Sequence, residues 1–249
     1  MLEFLVCGGE AKGIHAPALN TNALRAVLVP GLSPGDAPMY IPKLFEVTDI
    51  STLHEFIESH SFATLVTAAN EQPVATRVPL ILERSRGSRG TLLGHIARAN
   101  PQWRSFDGER QCLAMFDGPH AYVSPSWYIN APAVPTWNYA AVHVYGIPRP
   151  IHDAEQLSAL VDQLVAVYEA GMAEPWPGIL PPDFRTSMLK AIVGFSIEID
   201  RIEGKFKLGQ NRPLEDRLGT VAHLETSSDP VARELGALTR KHLASDTPG

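Results

Sequence analysis

The chain has 249 residues, 45% of them apolar and only 19% charged, which excludes a charge-swollen disordered chain and a long coiled coil. The 21 prolines argue for strands and elaborate loops rather than a helical bundle. A net charge of −6 offers nucleic acid no broad basic face, although a local patch is compatible with it.

Residues 1–38 hold Gly8, Gly9, Gly13, Gly31, Gly35, Pro17, Pro30, Pro34 and Pro38 and no sustained periodicity. Breakers at that density prevent long elements, so 1–38 is expected to be a disordered or loosely packed extension. The start, Met1 to Cys7, has no basic residue and does not read as a signal peptide. Residues 39–249 read as one domain. Met39 is a candidate start of translation.

Ile50, Leu53, Phe56 and Ile57 repeat at helical spacing, with Thr48 as the expected cap and Asp49 near the positive end. Phe62–Ala69 is a short apolar run that fits a buried strand, and Asn70–Pro73 supplies a turn. Val74–Leu82 is a second strand, in which Pro79 marks an edge or bulge. A polar loop over 84–90 leads to a third strand, Thr91–Arg98. Asn100-Pro101 pairs a capping side chain with proline at the first helical position, so a short helix is expected over Pro101–Phe106.

Cys112–Phe116 reads as a fourth strand closed by Gly118-Pro119, followed by extended segments at Tyr122–Tyr128 and Thr136–Ile147. Asp153 and Gln156 resemble a capping box before an apolar stripe, Leu157, Leu160, Val161, Leu164 and Tyr168, which ends near Gly171. A proline-rich loop precedes a short helix over Phe184–Ile192. Alternation of Phe195, Ile197 and Ile199 predicts a strand over Gly194–Ile202, and two helices close the chain at Pro213–Leu224 and Val231–Leu243. Many short strands with few helices between them indicate an α+β domain with an antiparallel barrel core and added helices.

Three constellations carry chemistry. Six of the ten Trp and Tyr residues lie between Tyr122 and Tyr145: Tyr122, Trp127, Tyr128, Trp137, Tyr139 and Tyr145. Flat faces with polar handles suit a planar ring ligand, and they equally suit a barrel core. His95 to Pro101 delivers alternate side chains into a helix start, where free amides beside Arg98 suit a phosphate; an ordinary capped helix reads the same way. Lys205 to Arg212 puts Lys205, Lys207 and Arg212 beside Gln210 and Asn211, as a phosphate, flavin-edge or DNA contact or as a solvated loop.

Other chemistries lose support. No His pairs with a second His or a Cys at ligand spacing, so no metal centre is expected. Cys7 and Cys112 make no disulfide framework, and a reducing cytoplasm is the simplest setting. The chain lacks a nucleophile elbow, a phosphate loop and a dinucleotide fingerprint. No apolar run reaches the length of a membrane span.

Five strings then occur in order: Met39-Tyr40-Ile41-Pro42, Gly94 to Pro101, Tyr122 to Tyr128, Pro135 to Tyr139 and Gln210-Asn211-Arg212. Together they resemble the PaiB family of FMN-binding negative transcriptional regulators, from Met39 to about Leu224. The resemblance implies a split-barrel flavin-binding fold similar to pyridoxamine phosphate oxidases, FMN as cofactor, and a homodimer holding FMN between subunits. It carries His95, Arg98 and Asn100 to the phosphate side, with Arg77 as a further cation. It carries Ser124, Ser126 and Trp127 to the first aromatic-rich strand and Thr136, Trp137 and Asn138 to the second. Lys207, Gln210, Asn211 and Arg212 fall on the late loop. Leu44 and Gly209 depart from the family pattern, where His and Ser are common. The implied function is negative regulation of transcription, with DNA as a partner and the operator unspecified. The alternative is an FMN-dependent oxidoreductase, because the same fold hosts flavin enzymes. No catalytic residue is assigned.

Overall fold

The computed structural model describes residues 39–69 and 72–245. The expectation for 1–38 lies outside these residues, as does part of the turn expected at 70–73. Among the described residues, ten strands form two antiparallel sheets. The larger has the order β1 (Glu46–Val47), β10 (Arg201–Lys207), β7 (Thr136–Gly146), β6 (Cys112–Val123), β2 (Phe62–Ala69) and β3 (Gln72–Pro79). The smaller has the order β4 (Ile81–Glu83), β5 (Thr91–Ala97), β9 (Ile192–Glu198) and β8 (Pro148–Ile151).

The chain passes between sheets four times: at Leu80, between Ala97 and Cys112, at Ile147 and at the turn after Glu198. These crossings wrap both sheets around one core. Leu65, Ala114, Phe116, Val142 and Val144 of the larger sheet meet Leu92, Ile96, Phe195 and Ile197 of the smaller. Phe116 and Phe195 are wholly buried, and burying each contributes about 1.5–3 kcal/mol. Helix α1 (Ile50–Ser59) adds Leu53, Phe56 and Ile57 to the same core, and α2 (Ala154–Glu169) lays Leu157, Leu160 and Leu164 on Ile81 and Leu93. Helix α3 (Pro182–Lys190) leads into β9, and α4 (Leu214–Glu225) and α5 (Pro230–Ser245) close the chain.

Several elements differ from expectation. The cap of α1 is Asp49, not Thr48: its Oδ2 accepts from Thr52 N at 2.8 Å, because Asp49 sits directly before the first helical residue. The strand expected over 74–82 breaks at Pro79, which ends edge strand β3 and sends the chain to the other sheet. Gly118-Pro119 does not close a strand. β6 runs through it with a register shift between Asp117 and His120, since a bulge accommodates the missing proline N–H. Residues 125–127 are a 3-10 turn rather than extended. The strand over 194–202 is two strands: β9 ends at Glu198, and β10 pairs with β7 from Arg201↔Tyr145 to Lys207↔Tyr139. The basic run after 203 is therefore strand rather than loop up to Lys207. β8 follows β7 after a single residue and was not legible as a separate strand.

Candidate functional site

The residues singled out from sequence fall into two groups. The first gathers where β6 and β10 end and β7 begins. Ser124 opens the turn Pro125–Trp127; its Oγ accepts from Ser126 N at 3.2 Å and lies 2.7 Å from Ser126 Oγ. Across the ribbon, Lys207 Nζ donates to Thr136 Oγ1 at 2.6 Å. Trp137 and Tyr122 stand half exposed on the outer sheet face, edge to face at 6.2 Å, with the His120 ring 6.3 Å from the indole. Tyr122 and Trp137 thus form an exposed aromatic shelf, whereas Trp127 packs against the core.

Asn138 points the other way and is 1% exposed; its Oδ1 is buried with no partner among the described residues. Beside it the loop after β10 turns at Gly209, whose φ of 85° favours glycine. A Cβ there would lie 3.7 Å from Asn138 Nδ2. Gln210 braces this turn: its Oε1 accepts from Leu208 N and its Nε2 donates to Phe206 O. Asn211 is exposed, and Arg212 lays its guanidinium over the Tyr128 ring at 4.4 Å.

The second group lies near β3 and the end of β5. Arg77 donates from Nη1 to Thr64 Oγ1 at 3.1 Å and from Nη2 to Phe62 O at 2.8 Å, with Asp117 Oδ2 at 3.8 Å. Arg98 is exposed, and its Nε and Nη2 donate to Lys190 O and Ile192 O at 2.7 and 2.8 Å. Two of its five N–H groups are therefore committed to the junction of α3 and β9. Asn100 Nδ2 donates to Thr76 Oγ1 at 2.9 Å, which joins the end of β5 to the residue beside Arg77. His95 is half-buried, and burial pushes it below its ordinary value, so it is neutral at pH 7.

The helix start expected at Asn100 is a five-residue 3-10 turn. Its amide at Gln102 donates to Asn100 Oδ1 at 3.0 Å and is not free for a phosphate. Sequence reasoning missed Gln102, which is 2% exposed and donates from Nε2 to Leu65 O, Thr67 Oγ1 and Val74 O. It also missed Asp216, wholly buried on α4, whose Oδ1 accepts from Ile129 N, Asn130 N and Asn130 Nδ2 at 2.8, 3.0 and 3.1 Å. An acid near a helix start ordinarily signals the dipole alone, so nothing local marks this one.

The two groups are apart on the single chain. Asp117, beside Arg77, pairs with Ala141, and Thr136 lies five residues further along β7, roughly 17 Å at 3.3–3.4 Å per residue. Between them they offer cations for a phosphate, hydroxyls for a polyol chain and an aromatic shelf for a flat ring, a donor set whose chemistry fits a phosphorylated flavin.

A split antiparallel barrel with these side chains at its rim defines a flavin-binding protein. Residues 39–201 match the model of a family described as "Putative FMN-binding domain", and the chain belongs to that family. It is 38% identical over 210 residues to the protease synthase and sporulation protein PAI 2 of Bacillus subtilis, covering 82% of this chain and 98% of that one. The chain is thus a PaiB-family FMN-binding protein, and its cofactor is FMN. Its fold is similar to the flavocytochrome Anf3 from Azotobacter vinelandii, with a TM-score of 0.54 and 15% identity over 70% of this chain and 75% of that one. It is also similar to the FAD and heme binding protein from Mycobacterium smegmatis, with a TM-score of 0.52 and 15% identity over 70% and 78%.

Proposed function

We propose that this protein works as a cytoplasmic, FMN-loaded homodimer that represses transcription in the manner of a PaiB-type regulator. One observation carries the dimer: the two groups of candidate ligands sit too far apart on one protomer to act as one small pocket. Exposed Phe62, Tyr122 and Trp137 also lie on the sheet face between and beside them. A second copy covering that face would bring the Arg77, His95, Arg98 and Asn100 group of one protomer against the Ser124, Ser126, Trp127, Thr136, Trp137, Asn138 and Lys207 group of the other. The first group supplies cations to the FMN phosphate. The second supplies hydroxyl and amide partners and the aromatic shelf. FMN contributes a redox-active ring; the chain's own residues bind, orient and shield it.

Regulation is supported by the five strings and by the full-length likeness to the PAI 2 protein. The cations first considered for DNA are engaged inside the protomer. Lys205 is 8% exposed, donates from Nζ to Tyr40 O, and lies over the Tyr40 and Tyr139 rings. Lys207 holds Thr136, and Arg212 covers Tyr128. DNA contact in this reading is weak and conditional on the assembled dimer.

The purified full chain is expected to show flavin absorption bands and the mass of two chains by light scattering. It is expected to retard fragments from its own and neighbouring promoters, and to do so less as salt is raised, because phosphate contacts release counterions. A flavin-loaded monomer at micromolar concentration would overturn the shared site. Rapid anaerobic bleaching by NAD(P)H without promoter binding would replace the regulator with an oxidoreductase.

A further inference from the structure

The loop over 124–135 joins the two longest strands, and helix α4 is bonded to it along its length. Arg212, just before α4, covers the Tyr128 ring. Asp216 takes the N–H groups of Ile129 and Asn130. Gly219 lets the Trp127 carbonyl approach: a Cβ there would lie 2.6 Å from that oxygen. His223 stacks on the Trp127 indole. Within the loop, Trp127 N donates to Ser124 O and Tyr128 N to Pro125 O, which ties the segment leading into 129–130 back to the serine pair.

Asp216 is the one charged group in this seam with no exposed surface. Burial alone pushes its carboxyl up. The Asn130 and Ile129 donors, with Arg212 nearby, outweigh that and hold it below the ordinary carboxylate value. Its place in the first turn of α4 adds the helix dipole. All three bonds fall on Oδ1, while Oδ2 is buried without a partner among the described residues.

We propose that Asp216 is a positioning residue for FMN: its carboxylate sets the backbone at Ile129 and Asn130 and thereby the orientation of Ser124, Ser126 and Trp127 toward the cofactor. The inference rests on the reading that these three residues face FMN. It assigns α4, which lies beyond the matched family segment of 39–201, a role in cofactor affinity.

The test titrates the full-length apoprotein with FMN and follows amide hydrogen exchange at Ile129 and Asn130. Asp216→Ala is expected to weaken FMN binding about tenfold, the consequence of releasing the three part-buried donors that fix the loop, and to speed exchange at both amides. Asp216→Asn keeps one acceptor oxygen and is expected to recover part of the affinity; it also serves if the alanine variant does not fold. Ser126→Ala is expected to weaken FMN binding in the native background and to lose most of that effect once Asp216 is alanine, since the hydroxyl is then no longer placed. Independent, multiplying effects of the two substitutions would overturn the inference. So would unchanged FMN affinity in Asp216→Ala and Asp216→Asn despite faster exchange. A Ser126→Ala variant with native affinity would instead remove the serine from the FMN site, and the positioning role with it.

Discussion

The Trp127 indole lies parallel to the His223 imidazole, with ring centroids 5.0 Å apart and planes 7° apart. The stack joins a loop that carries candidate FMN ligands to a helix nearly a hundred residues later. It requires close approach, and Gly219 provides it. Gly219→Ala would ordinarily stabilise a helix by up to about 1 kcal/mol. Here the added Cβ meets the Trp127 carbonyl at 2.6 Å, and overpacking of that kind costs about 1–3 kcal/mol. The expected outcome is a net loss of stability in urea denaturation. A Gly219→Ala protein more stable than the native one would show that the loop gives way freely.

Arg98→Ala should have two separable effects. Loss of the contacts to Lys190 O and Ile192 O loosens the junction of α3 and β9 in the apoprotein, seen as a lower Tm. Loss of a charge-assisted phosphate contact, worth about 1.5–3 kcal/mol, should weaken FMN binding roughly 10- to 150-fold. Riboflavin lacks the phosphate and should lose much less. Equal losses for the two flavins would make Arg98 a structural brace only and move the phosphate to Arg77.

Stability should fall as the medium becomes acidic through two histidines. Burial pushes His95 below its ordinary 6.5. Burial also pushes His143 below 6.5, with Arg201 adding to the shift and Glu203 and Asp117 opposing it. His143 Nδ1 is buried without a partner among the described residues. Both rings are neutral in the folded protein at a pH where the unfolded chain takes up protons. Their contribution is full above about pH 6.5, is lost as pH falls through 6.5, and levels off below the folded values. Denaturant midpoints from pH 8 to pH 5 should drop, and His143→Gln should flatten part of that drop. An unchanged slope in that variant would remove His143 from the effect.

Cys112 should be chemically silent. It is 3% exposed, and burial pushes its thiol up to about 12. The thiolate is the nucleophile, so almost none is available at pH 8. In a Cys7→Ser protein, an aromatic disulfide reagent should titrate no thiol in buffer and one after denaturation. Reaction within minutes in buffer would mean that the barrel opens far more often than its packing implies.

A chain beginning at Met39 should fold and bind FMN. Met39 N donates to Glu203 Oε2 at 2.9 Å and Tyr40 O accepts from Lys205 Nζ, so the anchoring of β10 starts at Met39. Residues 39–249 also form one compact unit. Insoluble protein, or loss of flavin bands on truncation, would show that 1–38 contributes to the domain.

Much of this fold was legible because much of it is local. Phe62–Ala69 is a strand as its apolar run implied, although only Ala63, Leu65 and Thr67 are buried while Phe62 and Ala68 are exposed, and α2 has the Asp153 cap and the Leu157, Leu160 and Leu164 stripe read from spacing. β10 was not legible. Lys205 and Lys207 look like a solvated loop until the Tyr40 and Tyr139 rings and Thr136 are brought beside them by pairing with β7.

The sequence by itself determined the class of the domain, its helices and most of its strands, since these rest on periodicity and caps, and its five strings carried the family resemblance that implied the cofactor. Only the tertiary structure decided which partners those residues have. Arg98 meets a carbonyl 94 positions away, and Asp216 meets amides 87 and 86 positions away. Such pairs leave no periodic trace, because a guanidinium or carboxylate reads alike whether water or a distant backbone satisfies it. For the same reason the candidate site divides into two groups in space although its motifs read as one list along the chain.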